Sequence, residues 1–156
     1  MTNVVLAGLG GQGVLKASDI LADAAFRAGL DVKKAEVHGM SQRGGSVRTD
    51  VRFGPCVLSP MVPDGEADCL VVLEATQTDV NRHVLREGGR LIVPEAVDAG
   101  KLANTRSLNV AMLGLLSAYL DIPTEHWEAA IRANLPEKLH PVNIQAFALG
   151  RSFAAT

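Results

Sequence analysis

Residues 32–53, VKKAEVHGMSQRGGSVRTDVRF, decide the fold. Residues 32–38 read as an extended, strand-forming run. From Ser46 the chain alternates, with Val47, Thr49, Val51 and Phe53 facing one way and Arg48, Asp50 and Arg52 the other. That period of two is the mark of a strand with unlike faces. The intervening GMSQRGG is seven residues long, whereas a crossover between parallel strands needs a dozen or more. The two strands therefore pair antiparallel, as a hairpin-like excursion.

The surroundings of this hairpin are of the α/β type. Upstream, NVVLA at residues 3–7 is a continuously apolar buried strand, followed by GLGGQG and a helical pattern over residues 12–27. Val14, Ala17, Leu21, Ala24 and Ala28 keep the spacing of one helix face, and Gly29 supplies a helix-ending glycine. Downstream, proline and glycine mark a loop at 54–65, and ADCLVVL at 67–73 is a further strand. A helix is expected over 76–86, closed by Gly88 and Gly89, with another strand from Arg90 to complete a right-handed βαβ unit. The last third reads as helical: residues 109–120, then a helix capped by Thr124, then one opened by Pro141 and ended by Gly150. The expected architecture is a Rossmann-like three-layer α/β domain spanning residues 1–156. Its sheet is mostly parallel, with an antiparallel excursion at the second and third strands.

Composition removes several functions. The chain has 156 residues and carries 15 basic against 17 acidic groups, a net charge of −2, which gives no global attraction to nucleic acid or anionic lipid. Six aromatic residues leave little for base stacking. Two cysteines, Cys56 and Cys69, cannot ligate a four-thiolate iron–sulfur cluster, and no metal site is expected. The longest apolar run, residues 110–120, is too short for the roughly 20 residues that span a bilayer. With no signal-like start, a cytoplasmic location is expected.

Two segments hold the candidate binding residues. Gly8, Gly10 and Gly13 form a G-x-G-x-x-G after a strand and before a helix, with Gly11 and Gln12 inside it. Such glycines let backbone approach a ligand closely, and the helix start offers free N–H groups to an anion. The second segment is His38, Gly39, Met40, Ser41, Gln42, Arg43, Gly44 and Gly45, more varied in hydrogen-bonding chemistry than a turn requires. Residues 33–52 carry net +3 and residues 61–100 net −5. A phosphate-bearing ligand would need such a basic region; solvated strand edges would account for Arg48 and Arg52 equally well. Glu36, 23 residues past Gly13, stands where a dinucleotide-binding domain places its ribose acid. A self-contained NAD(P)-binding oxidoreductase and a ligand-free assembly module are therefore both open readings. No nucleophile–base constellation is visible, and catalytic residues are not assignable.

The pairing of GLGGQGVLKASDILADAAFRAGLDV with EVHGMSQRGGSVRTDVRFG resembles the gamma-type subunits of 2-oxoacid:ferredoxin oxidoreductases, and among them the small (beta) subunits of indolepyruvate:ferredoxin oxidoreductases. The resemblance continues through LSPMVPDGEADCLVVLE, GGRLIV and the C-terminal NVAMLGLL and NIQAFALG. It implies a part in coenzyme A-dependent oxidative decarboxylation of a 2-oxoacid to acyl-CoA and carbon dioxide, with ferredoxin as electron acceptor. Thiamine diphosphate and [4Fe–4S] clusters are then expected on a larger partner subunit, and the isolated chain is expected to be inactive. The two glycine-containing segments would serve the coenzyme A side or a subunit interface, with Arg43 meeting a phosphate, a carboxylate or a neighbouring subunit. The interval 94–108 is shorter than usual for that family, so the sheet is expected to lose a strand.

Overall fold

A computed structural model describes residues 1–38 and 45–154. Its sheet has five strands in the order β2-β3-β1-β4-β5. They are β1 (Thr2–Leu9), β2 (Asp31–His38), β3 (Ser46–Gly54), β4 (Ala67–Val72) and β5 (Leu85–Ile92). The central β1 is buried on both faces from Asn3 to Gly8, which is why it reads as an unbroken apolar run. On one side it pairs parallel with β4, and β4 with β5. On the other it pairs antiparallel with β3, Thr2 opposite Phe53 and Leu9 opposite Ser46. The β2–β3 hairpin is antiparallel as expected, and it places β3 between β1 and β2.

The two sides of the sheet are covered unequally. One carries α1 (Val14–Arg27), α3 (Leu108–Ser117), α4 (Thr124–Asn134) and α5 (His140–Ser152), which bury Val4, Leu6, Val51, Phe53 and Val71 in the main core. Trp127 and Phe147 meet there with ring centroids 5.5 Å apart. The other side, with Val5, Ala7, Leu70 and Val72, is covered thinly by Val62 of the 55–66 loop and by Val84. This gives three layers, the third being loop and short helical turns.

Between β4 and β5 the expected helix over 76–86 breaks into turns: Ala75–Gln77, the four-residue α2 (Thr78–Asn81) and Arg82–Val84. Thr76, Thr78, Val80 and Val84 are β-branched and extend a helix poorly. Strand β5 starts at Leu85, so Gly88 and Gly89 lie inside it. There the β4–β5 register slips between Ala67 and Cys69, and Gly88 takes a φ of 75°. A pair of glycines in a strand marks a bulge as readily as it ends a helix. The start of α4 also differs: Pro123 precedes it, Thr124 is its first residue, and no side chain caps it.

Gly150 does not end α5, which continues to Ser152. A Cβ at Gly150 would land on the carbonyl oxygen of Ala111 and lie 2.6 Å from its carbonyl carbon; one at Gly114 would land on the carbonyl of Phe147. These two glycines let the backbones of α3 and α5 touch. The short 94–108 interval holds three single turns, Pro94–Ala96, Ala99–Lys101 and Thr105–Ser107, and adds no strand, so β5 is one of the two sheet edges.

Candidate functional site

The chain leaves β1 toward the hairpin side through α1, and leaves β4 toward β5. The carboxyl ends of β1 and β4 therefore flank the point where connections diverge, the usual crevice for ligands in open α/β sheets. The glycine segment lies there. Gly8 ends the buried part of β1, where a Cβ would sit 2.8 Å from Gln12 Oε1 and from Val14 Cγ2. Gly11 and Gly13 take φ of 90° and 81°, a backbone that glycine alone adopts without strain. Gly13 immediately precedes α1, whose N-terminus has no side-chain cap and no acid in its first turn. The free N–H groups of that first turn carry the positive end of the helix dipole.

Gln12 organises this loop. Its Oε1 accepts from the Leu9 N–H at 2.7 Å, and its Nε2 donates to Glu74 Oε1 at 3.2 Å. It thus bridges the ends of β1 and β4. The floor is tied by the Leu73 N–H to the Ala7 carbonyl at 2.8 Å. From α3, Asn109 Nδ2 donates to the Gly13 carbonyl at 3.2 Å. A cleft of about 560 Å³ opens beside these groups, lined by Gly11, Gln12, Gly13, Thr105, Arg106 and Asn109. A larger cleft of about 880 Å³ along α5 has none of residues 8–13 in its lining. Glu74, Arg106 and Asn109 escaped the sequence reading because only the fold brings positions 74 and 105–109 to residue 12.

The second segment begins at the same end of the sheet. Gly10 donates its N–H to the carbonyl of Gly45 at 2.9 Å, joining the two candidate segments directly. His38 ends β2 opposite Val47. Gly39, Met40, Ser41, Gln42, Arg43 and Gly44 lie outside the described residues, and with them the role expected for Arg43.

The other basic residues of this region are engaged within the chain. Arg48 donates to buried Asp50 from Nε at 2.7 Å and Nη2 at 3.0 Å. Arg52 donates to Asn3 Oδ1 at 2.9 Å and to the carbonyls of Ser59 and Met61 at 3.0 Å. Lys34 pairs with Asp19 and Glu36, and Lys33 with Asp31. Arg48 and Arg52 are neither a ligand patch nor merely solvated edge; they fasten the 55–66 loop to the sheet. Glu36 lies on β2 opposite Thr49, which lies opposite Leu6. Two strand spacings, about 10 Å, separate it from β1, whereas a ribose-binding acid sits on the strand next to the glycine loop. The interposed β3 removes that part of the nicotinamide reading.

Cys56 is exposed and Cys69 buried in β4. Burial pushes the Cys69 thiol up to about 11, Asp68 adding to the rise and Arg90 and Arg86 opposing it. A protonated thiol is a poor metal ligand, and two separated cysteines do not fit an iron–sulfur cluster. Among the described residues, no group of three or more His, Cys, Asp or Glu is placed to hold a metal.

Residues 3–153 match the model of the family described as pyruvate ferredoxin/flavodoxin oxidoreductase. The chain belongs to that family. It is 35% identical over 187 residues to the indolepyruvate oxidoreductase subunit IorB of Archaeoglobus fulgidus, covering 95% of this chain and 92% of that protein. Its fold is that of the keto/oxoacid ferredoxin oxidoreductase gamma subunit from Geobacter sulfurreducens, with a TM-score of 0.85, 24% identity, and 99% of this chain and 98% of that one covered. A chain of the 2-oxoglutarate:ferredoxin oxidoreductase from Magnetococcus marinus matches with a TM-score of 0.85 and 20% identity, over 98% of this chain but 31% of that one. As a family member, the chain is a small subunit of a 2-oxoacid:ferredoxin oxidoreductase and works as part of an enzyme complex. The alignment with the Archaeoglobus subunit runs over 187 positions against 156 residues here, so at least 31 positions have no counterpart in this chain.

Proposed function

We propose that this chain is a single gamma-type domain serving as the small subunit of an indolepyruvate-type oxidoreductase in the cytoplasm. A larger subunit would carry thiamine diphosphate and [4Fe–4S] clusters, and ferredoxin would accept the electrons. In that reaction a 2-oxoacid and coenzyme A give acyl-CoA, carbon dioxide and one proton, and two electrons reduce two ferredoxins. The cofactors supply the carbanion and redox chemistry. The support for the substrate class is the 35% identity to an IorB subunit along nearly the whole chain.

This chain's own contribution is to bind and position coenzyme A. The observation that carries this reading is the Gly10–Gly45 hydrogen bond of 2.9 Å, which unites the two candidate segments at the sheet crevice. Free N–H groups at the start of α1 and the guanidinium of Arg106 suit the phosphates of coenzyme A. Gln12, held by Leu9 and Glu74, acts as a positioning residue that keeps the α1 entrance open. His38, Gly39, Met40, Ser41, Gln42, Arg43 and Gly44 would border the same ligand or the larger subunit.

The test is steady-state kinetics of the reconstituted complex with indolepyruvate, coenzyme A and ferredoxin. Arg106→Ala is expected to raise the KM for coenzyme A about tenfold, the value of one charge-assisted hydrogen bond, leaving the KM for the 2-oxoacid unchanged. Identical coenzyme A kinetics would refute the binding role. A reconstituted complex with no 2-oxoacid-dependent ferredoxin reduction would refute the function itself.

A further inference from the structure

A break in strand pairing makes another cleft, at the amino ends of β1 and β4. Ala67 of β4 lies opposite Leu85 of β5, and Cys69 lies opposite Arg90. Two steps along β4 are thus matched by five along β5, and residues 86–89 loop out of the ladder. Glycine makes the excursion possible. Gly88 has a φ of 75°, and a Cβ on Gly89 would lie 2.8 Å from Leu85 Cδ1 and 3.0 Å from the Ala67 carbonyl oxygen. Irregularities of this kind re-aim the side chains beside them. The space opened here is a cleft of about 690 Å³, whose lining includes Thr2, Cys69, Arg90, Tyr119 and Asp121. Thr2 begins β1 and the glycine segment lies at its other end, roughly 20 Å away along the strand.

The two arginines of this cleft are engaged differently. Arg86 is taken up within the chain: its Nε donates to Asp68 Oδ1 at 2.8 Å and its Nη1 to the Glu87 carbonyl at 3.0 Å. The other oxygen of Asp68 accepts from the Asn3 N–H at 2.8 Å. Arg90 instead lies over the ring of Tyr119, its Cζ 3.6 Å from the ring centroid. Stacking holds the guanidinium in place but uses none of its N–H donors. Among the described residues, no carboxylate or carbonyl takes those donors up.

A guanidinium held this way is a preformed fork for a planar acceptor with two oxygens. The charges around it narrow the choice. Arg86 and Asp68 offset each other, and exposed Asp121 lines the same cleft as Arg90. With no surplus of positive charge, the cleft gives a multiply charged phosphate little attraction, whereas a single carboxylate matches the fork. Half-buried Leu91 and Leu120 supply an apolar wall beside it. We propose that this cleft binds a small organic carboxylate, held by Arg90 through both oxygens with its apolar body against Leu91 and Leu120. The site is separate from the glycine segments, so both can be filled at once.

Tyr119 is the only tyrosine of the chain, so the full chain made with meta-fluorotyrosine gives one fluorine NMR resonance, inside the cleft. Benzoate is expected to shift that resonance saturably, in the millimolar range typical of a small weak ligand. Benzamide, neutral and of the same shape, and inorganic phosphate are expected to leave it in place. Arg90→Met keeps an unbranched side chain over the ring without the charge and is expected to abolish the benzoate shift. Arg90→Lys keeps the charge but not the fork and is expected to bind benzoate about tenfold more weakly. Both substitutions replace an exposed side chain, and both variants are expected to melt as wild type. Absence of a saturable benzoate shift would overturn the proposal. So would binding of benzamide or phosphate as tight as that of benzoate, or wild-type benzoate affinity in either variant.

Discussion

Gly150→Ala adds one methyl group to the α3–α5 contact, and the structure gives its consequence. The new Cβ would sit 2.6 Å from the carbonyl carbon and 2.9 Å from the Cα of Ala111. Both are backbone atoms inside α3, so no side chain can rotate away and the helices must separate. Separation loosens the core around Met112, Leu113, Ala146 and Phe147, all essentially buried. Overpacking of this kind costs about 1–3 kcal/mol when side chains yield; with backbone in the way we expect about 3 kcal/mol. For a chain of this length each kcal/mol lowers Tm by about 2–4 °C, a fall of roughly 6–12 °C. Gly29→Ala is the matched control: its φ is 88° but nothing lies within 4 Å of the added Cβ, so it should cost about 1 kcal/mol from backbone conformation alone. Differential scanning calorimetry and urea titration read both variants. Gly150→Ala matching wild type within about 0.5 kcal/mol, or costing no more than Gly29→Ala, would refute the close-approach argument.

Other outcomes follow from the loop clamp and from the buried thiol. Asp50→Asn removes the charge that holds Arg48 and is expected to cost about 3 kcal/mol; limited proteolysis should then cut within residues 55–66, and an intact loop at unchanged urea midpoint would contradict the clamp. At pH 8, native chain should be alkylated by iodoacetamide at Cys56 and not at Cys69, with both reacting in guanidinium. Below pH 9 the Cys69 thiol is protonated in folded and unfolded chains alike; above it the unfolded chain ionises first. Stability is therefore lost as pH rises from about 9 to about 11. Cys69→Ala should remove that part of the slope, by as much as ~2 kcal/mol, in urea titrations across that pH range.

The hairpin was legible because strand alternation at 46–53 and a seven-residue gap are local facts that leave a single pairing. The α1 entrance was legible for the same reason: Gly8, Gly10 and Gly13 sit between a strand and a helix in one short segment. Gly88, Gly89 and Gly150 misled because glycine serves chain termination, bulges and helix contact equally well, and only the neighbouring backbone chooses. The helix expected over 76–86 failed where β-branched residues met the demands of packing. Glu74, Arg106 and Asn109 could not be joined to Gln12 without the topology. Nor could Arg48 and Arg52 be distinguished from a ligand patch before Asp50 was found buried between strand and loop.

The position of β3 between β1 and β2 constrains the route by which the chain folds. Among the described residues β2 pairs with no strand except β3, so completion of α1 alone leaves β2 without a partner. Its hydrogen bonds come from the hairpin, whose strands are separated by seven residues and can pair on a microsecond scale. Strand β3 also meets β1, where Thr2 finds Phe53 across most of the N-terminal third. Pairing so distant along the chain is slow, because loop closure precedes its reward. The joining of β3 to β1 is the step that also brings Gly45 to Gly10. In this molecule the formation of the candidate site and the closing of the sheet are a single event.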